Sequence, residues 1–208
     1  MESGSDWVCS NKDCTKIMKP SETKCPFHGI RTPDAVSLTG DWLCENSGCT
    51  RIMKKSEIKC PFHGKINSKS AFLEGNWLCE KADCTRIMKV SEIKCPFHGK
   101  RNANCPAMIG DWLCENSGCT RVNKENEVKC PFHGKRSIKS APMVGPWLCS
   151  NSGCTKLMKE TDVKCAFHGK RTSDCVAMTG PWVCGASNCG KLMQANQVSC
   201  SFHGKRKA

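Results

Sequence analysis

The sequence predicts an all-β architecture, a tandem array of six small units, and three observations carry that expectation. One frame, W-x-C-x4-C-x10-C-x2-H, recurs six times at a fixed 35-residue period. Such a period marks an array of small units, although 208 residues would ordinarily suggest one or two domains. Every Trp, every His and 18 of the 20 cysteines belong to the frame. Finally, a unit of roughly 25 ordered residues cannot bury enough apolar area to offset its chain entropy, so it needs a disulfide or a metal to fold.

Cysteine arithmetic decides between those staples. Each unit holds three cysteines, an odd number that internal disulfides cannot satisfy. Three thiolates and an imidazole make the four-ligand set of structural zinc. The expected ligands are Cys9, Cys14, Cys25, His28; Cys44, Cys49, Cys60, His63; Cys79, Cys84, Cys95, His98; Cys114, Cys119, Cys130, His133; Cys149, Cys154, Cys165, His168; and Cys184, Cys189, Cys200, His203. One Zn2+ per repeat makes six. The fold class is therefore a small metal-stabilised β fold: six zinc ribbons, each two short β-hairpins around one Zn, joined by 13-residue linkers. The units span 5–30, 40–65, 75–100, 110–135, 145–170 and 180–205.

In the second unit, Trp42-Leu43-Cys44 forms the first strand and Glu45-Asn46-Ser47-Gly48 the turn, with Asn and Gly where special dihedrals are needed. Cys49 to Met53 returns as the second strand. Ser56-Glu57 turns again, and Ile58-Lys59 leads into Cys60. Pro61-Phe62 makes a tight knuckle ending at His63, and a Gly follows every such His. Trp42, Leu43, Ile52 and Ile58 are expected to pack around the metal as a miniature core.

The linkers begin basic, as in Gly99-Lys100-Arg101, Gly134-Lys135-Arg136 and Gly169-Lys170-Arg171. They end on a small apolar cluster and Gly: Val36 to Gly40, Phe72 to Gly75, Met108 to Gly110, Met143 to Gly145, Met178 to Gly180. A pure tether would be polar and Gly/Ser/Pro-rich. The apolar pair and the constant length point to linkers docked on neighbouring units. Flexible beads produced by recent duplication are the alternative.

Four protein ligands close the zinc shell, and no His stands outside the frame to act as a base. An enzyme is therefore not expected. A [2Fe–2S] cluster of the CDGSH type lacks its Asp-Gly-Ser-His signature here, and the CCCH fingers of mRNA-decay proteins end in Cys-x3-His, not Cys-x2-His.

The frame resembles the RanBP2-type zinc finger, W-x-C-x(2–4)-C-x3-N-x6-C-x2-C, over all six units, with His as the fourth ligand. The family's Asn stands here as Asn123; Met18, Met53, Met88, Met158 and Met193 hold the place elsewhere. The resemblance implies one of three roles: binding single-stranded RNA, binding ubiquitin through a Thr-Phe pair after the second Cys, or binding the GTPase Ran. Thr15, Thr50, Thr85, Thr120 and Thr155 occupy that first place, but Lys16, Arg51, Arg86, Arg121 and Lys156 follow, never Phe. The family's aromatic base stacker is replaced by Lys19, Lys54, Lys89, Lys124, Lys159 or Gln194, and Ser56-Glu57 stands where RNA readers carry paired arginines.

The expected partner is single-stranded RNA, bound in RNA processing or a ribonucleoprotein through phosphate neutralisation multiplied over repeats. The alternative is a protein-interaction scaffold, with ubiquitin or another protein as partner. Candidate contacts are Arg51, Lys54, Lys59, Phe62, Arg86, Lys89, Lys94, Phe97, Arg121, Asn123, Lys124 and Phe132. Lys55 and Lys65 extend the basic face, or the cations simply solvate it. Phe27, Phe62, Phe97, Phe132, Phe167 and Phe202 lie between the last two ligands. They are expected to cover the linker clusters, or else to stack on a base. The Trp residues are expected in the core. The methionines either pack beside the zinc or offer an adaptable contact. Cys105 and Cys175 alternate with Ala35, Ser70 and Ser140, which points to a small packed residue.

Six zinc thiolate sites, each net −1, would bring the formal +13 to about +7. The segment Met1 to Trp7 carries no signal core, and no apolar run reaches membrane-spanning length. A reducing intracellular compartment is expected, nucleus or cytoplasm, or an organelle if a targeting segment has been removed. Lys205-Arg206-Lys207 is a short basic end that fits a nuclear signal or a phosphate contact.

Overall fold

The structure is a computed structural model that describes residues 5–32, 34–184, 186, 189 and 191–206. Met1 to Gly4 and Lys207 of the basic end lie outside the described residues. By backbone contact the chain divides into two compact units. One comprises Met1–Glu74, Val90–Ala103 and Gly180–Gln194, the other Gly75–Lys89, Asn104–Thr179 and Ala195–Ala208. The described secondary structure is short antiparallel strands, without helix.

In the first unit, Trp7–Val8 pairs with Ile17–Met18 on one side and with the linker strand Val36–Ser37 on the other. Trp42–Leu43 pairs likewise with Ala71–Phe72 and meets Met53 through a single bridge. The second hairpin of a repeat joins the third cysteine to the residues after the histidine: Lys24–Cys25 with Gly29–Ile30, Lys59–Cys60 with Gly64–Lys65, Lys94–Cys95 with Gly99–Lys100. Trp182–Val183 pairs with Leu192–Met193.

The second unit repeats the plan. Trp112–Leu113 lies between Val122–Asn123 and Ala141–Pro142, and Trp147–Leu148 between Leu157–Met158 and Val176–Ala177. Trp77–Leu78 pairs with Ile87–Met88 and bridges Ala107. The knuckle hairpins are Lys129–Cys130 with Gly134–Lys135, Lys164–Cys165 with Gly169–Lys170, and Ser199–Cys200 with Gly204–Lys205. The two expected hairpins are thus present, and the linker adds a third strand that the sequence reading did not assign.

That strand explains the apolar pairs in the linkers. In the first unit, Val8 and Leu38, flanked by Ile17 and Val36, pack in one cluster with Ile58 and Ile66 of the next repeat. In the second, Leu113, Ala141 and Met143 pack with Val163, and Leu148, Val176 and Met178 with Val198. The linkers dock; within each unit successive repeats share a core, and the flexible-bead alternative does not describe them.

One expectation about the core is corrected. Ile52 does not join it: the side chain is 38% exposed, because the strand alternates and turns Met53 inward instead. Leu43 and Ile58 are buried as expected, and Ile58 packs in one cluster with Trp42, Cys44, Cys49 and Cys60 of its own frame and with Val8 of the preceding repeat.

Candidate metal centre

The first hairpin turn delivers two ligands. Asn46 accepts from the Gly48 N–H through its side chain at 3.0 Å and from the Cys49 N–H through its carbonyl at 3.1 Å. Asn116 and Asn151 do the same before Cys119 and Cys154. The knuckle delivers the other two: the His63 N–H reaches the Cys60 carbonyl at 3.3 Å, and Gly64 then takes φ +89°, which reverses the chain without a Cβ penalty.

The ligand atoms converge. Cys9, Cys14, Cys25 and His28 form a group whose donor atoms all lie within 4.8 Å of one another, as do Cys44, Cys49, Cys60, His63; Cys79, Cys84, Cys95, His98; Cys114, Cys119, Cys130, His133; and Cys149, Cys154, Cys165, His168. One more group of this kind completes the set, one per repeat. Tetrahedral zinc, with Zn–S about 2.3 Å and Zn–N about 2.0–2.1 Å, demands S···S edges of about 3.8 Å and S···N edges of about 3.5 Å. The sulfur pairs Cys14–Cys25, Cys49–Cys60, Cys119–Cys130 and Cys154–Cys165 span 3.6–3.8 Å. The edges from Cys9, Cys44, Cys114 and Cys149 to the Nδ1 of the paired histidine span 3.6–3.7 Å. The donor set fits zinc, and no cysteine is in a disulfide. Cys105 and Cys175 stay outside these groups; the Cys175 sulfur accepts from the Thr172 N–H at 3.4 Å, the part that the Ser70 and Ser140 hydroxyls play for Asn67 and Ser137.

Backbone donors prepare the sulfurs. Burial pushes the Cys25, Cys130 and Cys165 thiols up, but the N–H groups of Phe27, Phe132 and Phe167 and hydrogen bonds to the neighbouring histidines outweigh it and bring them down to about 6. Burial, reinforced by the second cysteine, holds Cys9, Cys44, Cys114 and Cys149 up at about 11. Cys25, Cys130 and Cys165 are thus already suited to the thiolate that zinc needs.

A fully buried Trp braces each of the first five sites. The Nε1 of Trp7, Trp42, Trp112 and Trp147 donates at 2.7–3.0 Å to the carbonyl fifteen residues on: Glu22, Glu57, Glu127 or Asp162. Met18, Met53, Met88, Met158 and Met193 are buried beside it, which resolves their role in favour of packing. Asn123 at the equivalent place is fully buried, its amide donating to the Trp112 carbonyl at 3.3 Å. It is corrected from contact residue to core residue.

The other candidate contacts are exposed, but not equally available. Arg51 pairs with Glu57 and Arg121 with Glu127, both at 3.2 Å; Lys54 pairs with Asp41 and Lys124 with Asp111, both at 3.0 Å. Arg86 and Lys89 are exposed as well. Lys59 and Lys94 are exposed and make no ion pair among the described residues. The six knuckle phenylalanines are 72–76% exposed, so they do not cover the linker clusters; the linkers bury their apolar side chains against the next repeat instead. Lys156 lies 5.5 Å from the Phe167 ring centre.

The basic linker starts are not free cations either. The Arg31, Arg136 and Arg171 guanidiniums lie over Trp7, Trp112 and Trp147, 5.0–5.6 Å from the ring centres. The linker lysines are spent on the preceding repeat. Their recurrence directly after His-Gly was the available signal.

No family model, curated protein or solved structure matches the chain. Fold and site together define the class of protein: a tandem zinc-binding repeat, with one Cys3His site in each repeat. Among the described residues no helix is long and apolar enough to cross a membrane.

Proposed function

We propose that the chain is a multivalent, non-enzymatic zinc-finger protein of RanBP2-like type that binds single-stranded RNA in a reducing compartment. One observation carries the reading: each repeat displays an exposed phenyl ring at the tip of its zinc hairpin. In five of them an exposed lysine, Lys24, Lys59, Lys94, Lys129 or Lys164, stands three residues before the ring. An exposed aromatic face with an exposed cation three residues before it suits an unpaired base and its phosphate, and requires no particular base. The closed Cys3His shells support a structural role for the metal.

The test is titration of the zinc-loaded chain with a labelled single-stranded RNA of mixed sequence, across a series of salt concentrations. Affinity is expected to fall with a log–log slope of about −0.7 per phosphate contacted. Replacing Phe62, Phe97 and Phe132 together by Ala should weaken binding at least about tenfold, since each stacked base is worth about 1–3 kcal/mol. Absence of binding at low salt, or variants that bind as the parent does, would remove the proposal. A protein partner is the second reading, favoured by the internal pairing of Arg51, Lys54, Arg121 and Lys124. Capture of a partner that survives nuclease and moderate salt would support it.

A further inference from the structure

Lys65, Lys100, Lys135, Lys170 and Lys205 follow the His-Gly pair in five of the six frames. Each reaches back 56 residues to the repeat before it. The Lys65 ammonium donates to the Cys9 carbonyl at 2.5 Å and the Asn11 carbonyl at 2.6 Å. Lys100 donates to Cys44 and Asn46, both at 2.6 Å. Lys135 holds the carbonyls of Cys79 and Lys81, Lys170 those of Cys114 and Asn116, and Lys205 those of Cys149 and Asn151.

These carbonyls belong to the turn that aims a backbone donor at the first zinc-binding sulfur. The N–H of Asn11, Asn46, Asn116 and Asn151 hydrogen-bonds the sulfur of Cys9, Cys44, Cys114 and Cys149. The Lys81 N–H reaches the Cys79 sulfur at 3.4 Å. An ammonium gripping the first ligand's carbonyl and the one two residues on fixes that turn. It also places a positive charge beside a Cys3His site that, with zinc, carries net −1. Half-burial of the lysine stems reduces solvent screening of that charge.

The first frame shows that a repeat does not need the lysine for its own fold. Ile30 stands there, and Lys24–Cys25 pairs with Gly29–Ile30 in the register that Lys59–Cys60 keeps with Gly64–Lys65. The lysine acts outward.

We propose that each of these lysines is a positioning residue for the zinc of the preceding repeat, so that metal retention is coupled in one direction, from the later repeat to the earlier. The experiment compares the full, zinc-loaded chain with Lys100→Met, which keeps the aliphatic stem and removes the ammonium. A thiol alkylator is added with a competing chelator, and labelling of each cysteine is followed by peptide mass spectrometry. Cys44, Cys49 and Cys60 should be labelled about 10- to 100-fold faster than in the parent, the usual cost of losing a partner that supports a metal ligand. Cys79, Cys84 and Cys95, in the frame that contains Lys100, should keep the parent rate. Lys65→Met should move the effect to Cys9, Cys14 and Cys25, and Lys100→Arg should restore part of the retention. Acceleration in the variant's own frame, even acceleration over all six sites, or none would overturn the proposal. RNA plays no part in this readout, so its outcome is separate from that of the binding titration.

Discussion

Arg136 and Ile66 occupy the same place in two repeats and fill it by different chemistry. Arg136 lies over Trp112 and donates to the Ile109 and Gly110 carbonyls; Ile66 is simply buried in its cluster. Burial brings the Arg136 guanidinium down to about 10, still charged at neutral pH. The place thus asks for volume over the Trp ring, and the charge is secondary. Arg136→Ile should change stability by less than about 1 kcal/mol, whereas Arg136→Ala should cost about 1–3 kcal/mol by uncovering the ring; thermal melts of the zinc-loaded variants distinguish them. Asn123→Met, which copies the other frames, should be neutral or stabilising by the same measurement, because it removes a buried amide and leaves the packed volume. At this scale the sequence was legible where a residue's chemistry admits one use. Cysteine, histidine and tryptophan were assigned from the frame alone. Lysine, arginine and phenylalanine were not, since each has a polar or flat end that serves a neighbour as well as a partner.

The linker element behaves as part of the fold. Its strand completes the Trp sheet and its apolar residue enters the next repeat: Met143 is buried with Leu113 and Val163, and the Met143 N–H donates to the Asp111 carbonyl at 2.7 Å. Met143→Ala should cost about 2–5 kcal/mol, the usual range for truncating a buried methionine. Gly145, at the end of this linker, takes φ +63°, and a Cβ there would stand 2.9 Å from the Thr179 side chain. Gly145→Ala should therefore destabilise by about 1 kcal/mol or more, from both strain and crowding. Chemical denaturation followed by Trp fluorescence measures both variants. The apolar pair and the constant length made docking readable in the sequence. That the linker would be a strand was not readable, because two residues are too few to carry alternation.

For the whole molecule, metal replaces the interior that short repeats cannot build. Elemental analysis should return six zinc ions per chain, one for each Cys3His group. A strong chelator should abolish the β circular-dichroism signal, and zinc should restore it; a spectrum unchanged by chelation would contradict the fold's dependence on the ion. Shared clusters within each unit mean that successive repeats contribute apolar packing to one another's stability, as expected of stacked repeats.

The sequence by itself determined the number of units, their ligands, the metal and the hairpin turns. All of these are local: ligands, Asn turns and post-histidine glycines fall within about 25 residues of one another. Only the tertiary structure decided which cations and aromatics face solvent. Lys100 meets Cys44 across 56 residues, Arg136 turns back over Trp112, and Phe62 is left outside because the linker's apolar side chains found the next repeat. Such partnerships depend on how successive repeats pack, and the spacing of residues within a single repeat does not contain that packing.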